Sequence, residues 1–276
     1  MGSHISLTLL SQLIGKTLVA ILLCFATYLS ACAAQATTTV VNVIDGDTVV
    51  LDDNTRVRLL GVNCPEFGHD GVRDEPLAAA AREFVASLVL GQRIALMLED
   101  ERTDRHGRTL AHIVLDDGRN LQEEILLNGL GSVVAIPPNV TLVEKYQEAE
   151  RVAQRERRGI WSHRYYQPRR PSSLSGNDRG HRFVAGTVQR IERNRKNYFL
   201  ELSRRFSIVI PRIDWSTYWS DDIDRLLGTK VIVRGWMTRI NGVYRIRVRH
   251  PAMLSVSSVS SRYSITASRE FDLLGG

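Results

Sequence analysis

Between residues 41 and 66 the sequence VNVIDGDTVVLDDNTRVRLLGVNCPE holds two short apolar runs, 48–51 and 57–62, split by Asp52-Asp53-Asn54-Thr55. Runs of this length, rich in Val and Leu and divided by an Asp/Asn cluster, specify a β-hairpin. Asp45-Gly46-Asp47 opens the first strand with a glycine turn, and Asn63-Cys64-Pro65-Glu66 ends the second, because proline cannot continue a paired strand. Asp45, Asp47 and Glu66 therefore stand at strand ends, where a sheet can gather them, and Arg58 lies inside the second run. Carboxylates are hard oxygen ligands for Ca²⁺ or Mg²⁺, and the arginine fork is a preferred partner of phosphate. Together these groups suit phosphodiester hydrolysis. The bland alternative is a solvated Asx turn and an ordinary surface arginine.

Downstream, Arg102-Thr103-Asp104-Arg105-His106-Gly107-Arg108 precedes an alternating run, 109–115, which puts a second arginine, Arg108, at the start of another strand. The blocks VIDGDTVVL, RVRLLGVNCPE, RTDRHGRTLAHIVLDDG and GIW, in this order and spacing over residues 40–161, resemble the staphylococcal nuclease (thermonuclease) family. The resemblance implies an α+β fold, mainly β: a five-stranded β-barrel of the OB type with three helices. It also implies Ca²⁺-dependent endonuclease activity on DNA and RNA, with Mg²⁺ or Mn²⁺ as alternative ions.

What the resemblance implies for single residues can be written out. Asp47 is a metal ligand, and Asp45 an acid that orients the waters around the cation. Asn63 stands where the family usually has a second ligating Asp; an amide oxygen still ligates but carries no charge, which weakens Ca²⁺ affinity. Cys64 stands where a Thr often offers its main-chain oxygen, a role the backbone keeps. Glu66 matches the carboxylate taken as general base, and Arg58 and Arg108 match the pair that clamps the phosphate. Arg105 and His106 replace a Lys-Tyr pair that faces the bound nucleotide. The segment Ala135-Ile136-Pro137-Pro138 lacks the tyrosines that pack on the nucleotide in the family's best-known member.

Residues 18–30 are an apolar run behind Lys16, too short for a comfortable membrane span, followed by small residues. Residues 1–36 therefore read as an export signal. Leu29-Ser30-Ala31-Cys32 resembles a bacterial lipobox, with Cys32 as the lipid anchor, and ordinary cleavage near Ala31-Cys32-Ala33 is the alternative. Either reading expects an exported protein: an envelope lipoprotein, or one that is periplasmic or secreted. With Cys24, Cys32 and Cys64 as the only cysteines, a disulfide framework and the common zinc sites are excluded. Cys64 reads as packing beside the site.

Within 37–162, residues 76–90, 120–130 and 142–158 carry helical periodicity or helix stop signals, and 93–98 reads as a strand. Residues 163–181 read as a basic linker. The stretch 151–170 holds seven arginines against one acid, Glu156. Tyr165 and Tyr166 interleave with them, a pattern that can track a nucleic-acid backbone and stack bases. Residues 182–256 offer about five short strands, a tight Asn241-Gly242 turn and a short helix at 223–227, which suggests a second small OB-like barrel. Alternation along 243–248 and beyond places Arg245, Arg247 and Arg249 on one face, a candidate nucleic-acid surface. Residues 257–276 read as a loose tail. A chain ending just after Trp161 is expected to keep the catalytic residues.

The net charge of +6 points weakly to a polyanionic partner, DNA or RNA. No small-molecule cofactor is expected, any membrane contact runs through Cys32, and the oligomeric state is not legible. Two rival classes stand beside a nuclease. One is a nucleic-acid-binding protein on a weakly active or silent scaffold, and the other is an envelope protein that uses its barrels for protein contacts.

Overall fold

The structure, a computed structural model, describes residues 37–68, 71–176 and 178–257. The expected export signal with Cys32, and the expected tail beyond Ser257, lie outside these residues.

Nine residues, Thr37–Asp45, form strand β1. It turns at Gly46 into β2 (Thr48–Leu51), which turns again into β3 (Arg56–Leu59). Asn54 adopts φ 67° in that second turn, a left-handed conformation that Asn tolerates better than most residues. The expected single run at 57–62 breaks at Leu60-Gly61, and Val62–Asn63 form a separate short strand, β4. Gly61 (φ 79°) makes this break possible. Helix α1 (Ala78–Val89) follows, then β5 (Arg93–Met97) and β6 (Thr109–Leu115). These strands close a barrel in the order β1-β2-β3-β6-β5, with β3 and β6 parallel. Helices α2 (Leu121–Leu127) and α3 (Val143–Arg155) complete this half, and β7 (Ser132–Val133) pairs with β4. Five barrel strands and three helices are the count the family resemblance implied.

The second half contains β8 (Gly180–Thr187), β9 (Arg190–Arg193), β10 (Asn197–Ser203), β11 (Phe206–Pro211), helix α4 (Arg212–Tyr218), β12 (Lys230–Ile240), β13 (Val243–Arg247) and β14 (Leu254–Ser257). Its pairings run β9-β10-β11-β13-β12-β8, with β14 on the other edge of β12. Again the third and fourth of these partners, β11 and β13, are parallel. Strands β8 and β9 are nearly continuous. Between them the Val188 amide bonds Thr229 O and the Gln189 amide bonds Glu201 O, so the chain changes partners there. The order of pairing thus repeats that of the first barrel, with a helix again placed before the strand that follows the third.

Residues 163–181 differ from a free linker. They carry two short 3-10 turns, Arg164–Tyr166 and Pro171–Ser173, and Arg169 bridges in parallel to Val184. The two halves share one apolar cluster that includes Leu59, Ile113, Ala135, Val233, Ile246 and Met253. The seam also holds a buried ion pair: Arg234 Nη1 meets Glu150 Oε1 at 2.5 Å, and the same oxygen accepts the Val133 amide at 2.7 Å. No helix among the described residues is long and apolar enough to cross a membrane.

Candidate functional site

Asp47 follows Gly46 in the β1–β2 turn. The turn is tight because Asp45 Oδ1 accepts the Asp47 amide at 2.9 Å. It also lies hard against the segment after β4: a Cβ on Gly46 would meet Cys64 Cβ at 2.7 Å and Ala81 Cβ at 2.8 Å, so only glycine permits the approach. The Asp47 carboxylate is consequently buried. Its Oδ2 accepts the Cys64 amide at 2.9 Å, and its Oδ1 accepts the Thr48 hydroxyl at 3.2 Å.

Both arginines reach this turn, Arg58 at the Asp47 carboxylate and Arg108 at the neighbouring Thr48. Thr48 and Arg58 are cross-strand partners, which brings the Arg58 guanidinium to the turn. Its Nη2 sits 3.0 Å from Asp47 Oδ2, while Nη1 donates to Leu59 O at 2.6 Å and Val62 O at 2.9 Å. Three of its five N–H groups are thereby fixed, and the fork is held rigid. Arg108 arrives from the parallel neighbour β6. Asp104 holds it through Nε (2.8 Å) and Nη2 (2.7 Å), and its Nη1 lies 3.5 Å from Thr48 Oγ1. A continuous path therefore runs Arg58–Asp47–Thr48–Arg108.

The electrostatics follow from this crowding. Burial first, then the nearby Asp45 charge, raises Asp47 to about 6, although Arg58 and the donated hydrogen bonds oppose the shift. Glu66 is open to solvent on one side and hemmed in by protein on the other. That partial desolvation, followed by Asp47 and Asp45, raises it to about 7. Burial pushes the Cys64 thiol well above its ordinary range; its Sγ donates to Gly46 O at 3.1 Å, so it packs and does not react.

Among the described residues no group of three or more His, Cys, Asp and Glu side chains is placed to hold a metal ion. The donors present are of another kind. Asn63 donates through Nδ2 to Cys64 O at 3.2 Å, and its Oδ1 is buried with no hydrogen-bond partner. An orphaned buried acceptor is costly unless something meets it. The Cys64 carbonyl follows it in the chain, and the Asp47 carboxylate accepts the Cys64 amide, so the three oxygen donors belong to neighbouring residues. That set fits a hard divalent cation.

The remaining candidates from the sequence fall in several places. Arg105 and His106 are exposed beside the Asp104 turn, with Arg105 Nε 3.0 Å from His106 Nε2. Tyr165 and Tyr166 are tied down by their hydroxyls: Tyr165 donates to Glu75 Oε1 at 3.0 Å and Tyr166 to Pro76 O at 2.5 Å. Arg247 is exposed on β13, and Arg245 lies with its guanidinium 5.8 Å from the Phe199 ring centroid. Arg249 lies past the end of β13, where it donates to Asp214 Oδ2 at 2.9 Å and Pro137 O at 2.8 Å. Of the three arginines expected on one face, Arg249 is spent on the seam and Arg245 packs against Phe199, so only Arg247 is exposed.

Residues that the sequence reading passed over also shape the site. Asp104 and Thr48 orient the arginines. Their signal was present, since Asp104 and Arg108 stand four residues apart around a glycine turn. Glu75 and Arg182, which meet at 2.7 Å, had no local signal.

Residues 56–163 match the family model described as staphylococcal nuclease homologue. The chain is 31% identical over 134 residues to the thermonuclease of Staphylococcus hyicus, covering 47% of this chain and 78% of that protein. It is 34% identical over 122 residues to the thermonuclease of Staphylococcus intermedius, covering 43% and 72%. With Endonuclease YhcR of Bacillus subtilis it shares 26% identity over 132 residues, 44% of this chain and 11% of that protein.

Proposed function

The chain belongs to the staphylococcal nuclease family and is a nuclease, and from that premise we propose that it is a Ca²⁺-dependent endonuclease of DNA and RNA that works outside the cytoplasm. The observation that carries this reading is the path Arg58–Asp47–Thr48–Arg108, which places one guanidinium on a buried carboxylate and a second beside the threonine next to it. Asp47, the orphaned Asn63 Oδ1 and the Cys64 carbonyl would hold the cation, and Asp45 would order its surroundings. When bound, the cation offsets negative charge that builds on the phosphate oxygens.

The chain's own residues carry the rest. The uncommitted N–H groups of Arg58, and Arg108 as held by Asp104, donate to the phosphate oxygens as the phosphorus becomes pentacoordinate. Glu66, in its carboxylate form, accepts the proton of the attacking water. A group titrating near neutrality is suited to that exchange. Burial keeps Asp47 and Arg58 from moving as charge develops, so little reorganisation is needed at the moment of reaction.

Export is part of the proposal, because millimolar Ca²⁺ is a condition of the outside of a cell. It rests on the apolar run at 18–30 and the Cys32 context. The test is cleavage of single- and double-stranded DNA and of RNA by the full chain, with Ca²⁺, Mg²⁺ or Mn²⁺ and with chelator. Cleavage with Ca²⁺ that chelator abolishes supports the reading. Binding without cleavage under every ion would favour a silent nucleic-acid-binding scaffold.

A further inference from the structure

We propose that Arg182, a residue of the second half of the chain, is a positioning residue for Glu66; the inference rests on the catalytic role proposed for Glu66. Glu66 opens an exposed loop that closes at Glu75. Two hydrogen bonds clamp its mouth: the Glu75 amide donates to Glu66 O at 2.9 Å, and the Glu66 amide donates to Glu75 Oε2 at 3.3 Å. The second bond depends on where the Glu75 carboxylate is held.

Glu75 is held from outside the nuclease barrel. Its other oxygen, Oε1, accepts Arg182 Nη1 at 2.7 Å and the Tyr165 hydroxyl at 3.0 Å. Arg182 is itself braced. Its Nη1 also bonds His181 O at 2.8 Å, its Nη2 donates to the Tyr165 hydroxyl at 2.7 Å, and its guanidinium lies 5.0 Å from the Tyr165 ring centroid. The Arg182 and Glu75 side chains are each only 15% exposed, so the pair is screened less than a surface ion pair. A relay thus runs from β8 through Glu75 to the backbone of Glu66, and it touches no reacting atom.

The loop needs such a tie. Within the loop the Gly68 amide bonds Asp74 Oδ1 at 2.9 Å, which ties the far part of the loop but not Glu66, whose backbone is held by the two clamp bonds. A general base misplaced by about 1 Å loses on the order of a hundredfold in rate. The second half of the chain therefore completes the catalytic apparatus, in addition to covering the seam.

The experiment uses the full chain with Arg182→Met, Arg182→Lys, Glu75→Gln, the double variant Arg182→Met/Glu75→Gln, and Asp214→Asn as a seam control that leaves the relay untouched. Two readouts are taken: kcat and KM on a short oligonucleotide with Ca²⁺, and hydrogen exchange of peptides spanning 65–77 without metal or substrate. Arg182→Met should lower kcat by roughly 10- to 100-fold, leave KM nearly unchanged and speed exchange in that loop. Arg182→Lys should recover most of the loss. The double variant should lose no more than the worse single one, because both act through one relay. Asp214→Asn should change neither readout. An unaltered kcat and unaltered loop exchange in folded Arg182→Met would overturn the proposal, as would a rise in KM at constant kcat. If Arg182→Met does not fold, Glu75→Gln decides by the same two readouts. If the wild-type chain cleaves nothing, the nuclease reading fails, while loop exchange still decides whether Arg182 clamps residues 66–75.

Discussion

Asn63 carries an amide where the family usually places a carboxylate, and its Oδ1 is buried without a partner. Asn63→Asp would add a negative charge to a segment that already faces Asp47 and Asp45. Without metal, that charge should lower the melting temperature. With Ca²⁺ it should be offset, and the Ca²⁺ concentration for half-maximal cleavage should fall below that of the wild type. Calcium titrations and melts with and without the ion check both halves; an unchanged titration midpoint would place Asn63 outside the metal site. Arg58→Lys tests the fork. An ammonium keeps the charge, but it cannot serve Leu59 O, Val62 O and Asp47 while also presenting a planar pair to phosphate. Turnover of the folded variant should fall about a hundredfold or more, the scale of losing one preorganised donor, and near wild-type turnover would remove Arg58 from the site.

At the scale of elements, the site depends on the break between β3 and β4. That break lets Val62 O and Leu59 O both face the Arg58 guanidinium, and it rests on Gly61. With φ at 79°, a Cβ there would lie 2.4 Å from the Tyr146 ring. Tyr146 cannot easily retreat. It is fully buried, and its hydroxyl bonds Asn120 Oδ1 at 3.1 Å and His112 Nδ1 at 2.7 Å, while His112 Nε2 meets Glu99 Oε1 at 2.6 Å. Gly61→Ala combines left-handed strain with overpacking and should cost roughly 2–5 kcal/mol. Denaturant unfolding measures it. A loss below about 0.5 kcal/mol, the range of an ordinary surface substitution, would mean that the break does not need glycine.

For the whole molecule, the seam between the halves sets the response to acid. His181 lies there, 9% exposed, with Nε2 unpartnered and its ring edge-on to Phe183 and Trp236. Burial first, then the charges of Arg234, Arg182 and Arg58, lower its pKa to about 3, so it folds as the neutral imidazole. The unfolded chain binds that proton near pH 6.5. Its contribution to stability is therefore complete above pH 6.5 and drains away as the pH falls towards 3, by up to about 1.4 kcal/mol per pH unit. Asp47 and Glu66, with raised values of about 6 and 7, act in the opposite sense over part of this window. The informative quantity is thus the difference between wild type and His181→Phe. The variant should be at least as stable near neutrality and should gain on the wild type steadily below pH 6.5; parallel stability curves would show that His181 is not buried neutral.

What the sequence determined by itself was local. Strands at Thr48–Leu51 and Thr109–Leu115 follow from apolar runs and their punctuation, and the site acids follow from turn chemistry at Asp45-Gly46-Asp47. Arg58 and Arg108 were legible because each sits on or beside such a strand. Strand β1 was not: Thr37–Asp45 buries only Val40 and Val43 fully, and so it shows little apolar pattern. Helix α4 escaped for a similar reason, since it follows a proline and is only seven residues long. The tertiary structure alone decided which charges meet. Arg182 finds Glu75 across 107 residues, and Arg234 finds Glu150 across 84. No periodicity distinguishes these arginines from the many on the surface, because a charge's partner is chosen by which elements pack together and how much water they exclude. For the same reason the basic stretch after Trp161 looked like a free linker with aromatic rings to spare. In the folded chain the Tyr165 hydroxyl instead donates to Glu75, the carboxylate that clamps the loop of Glu66.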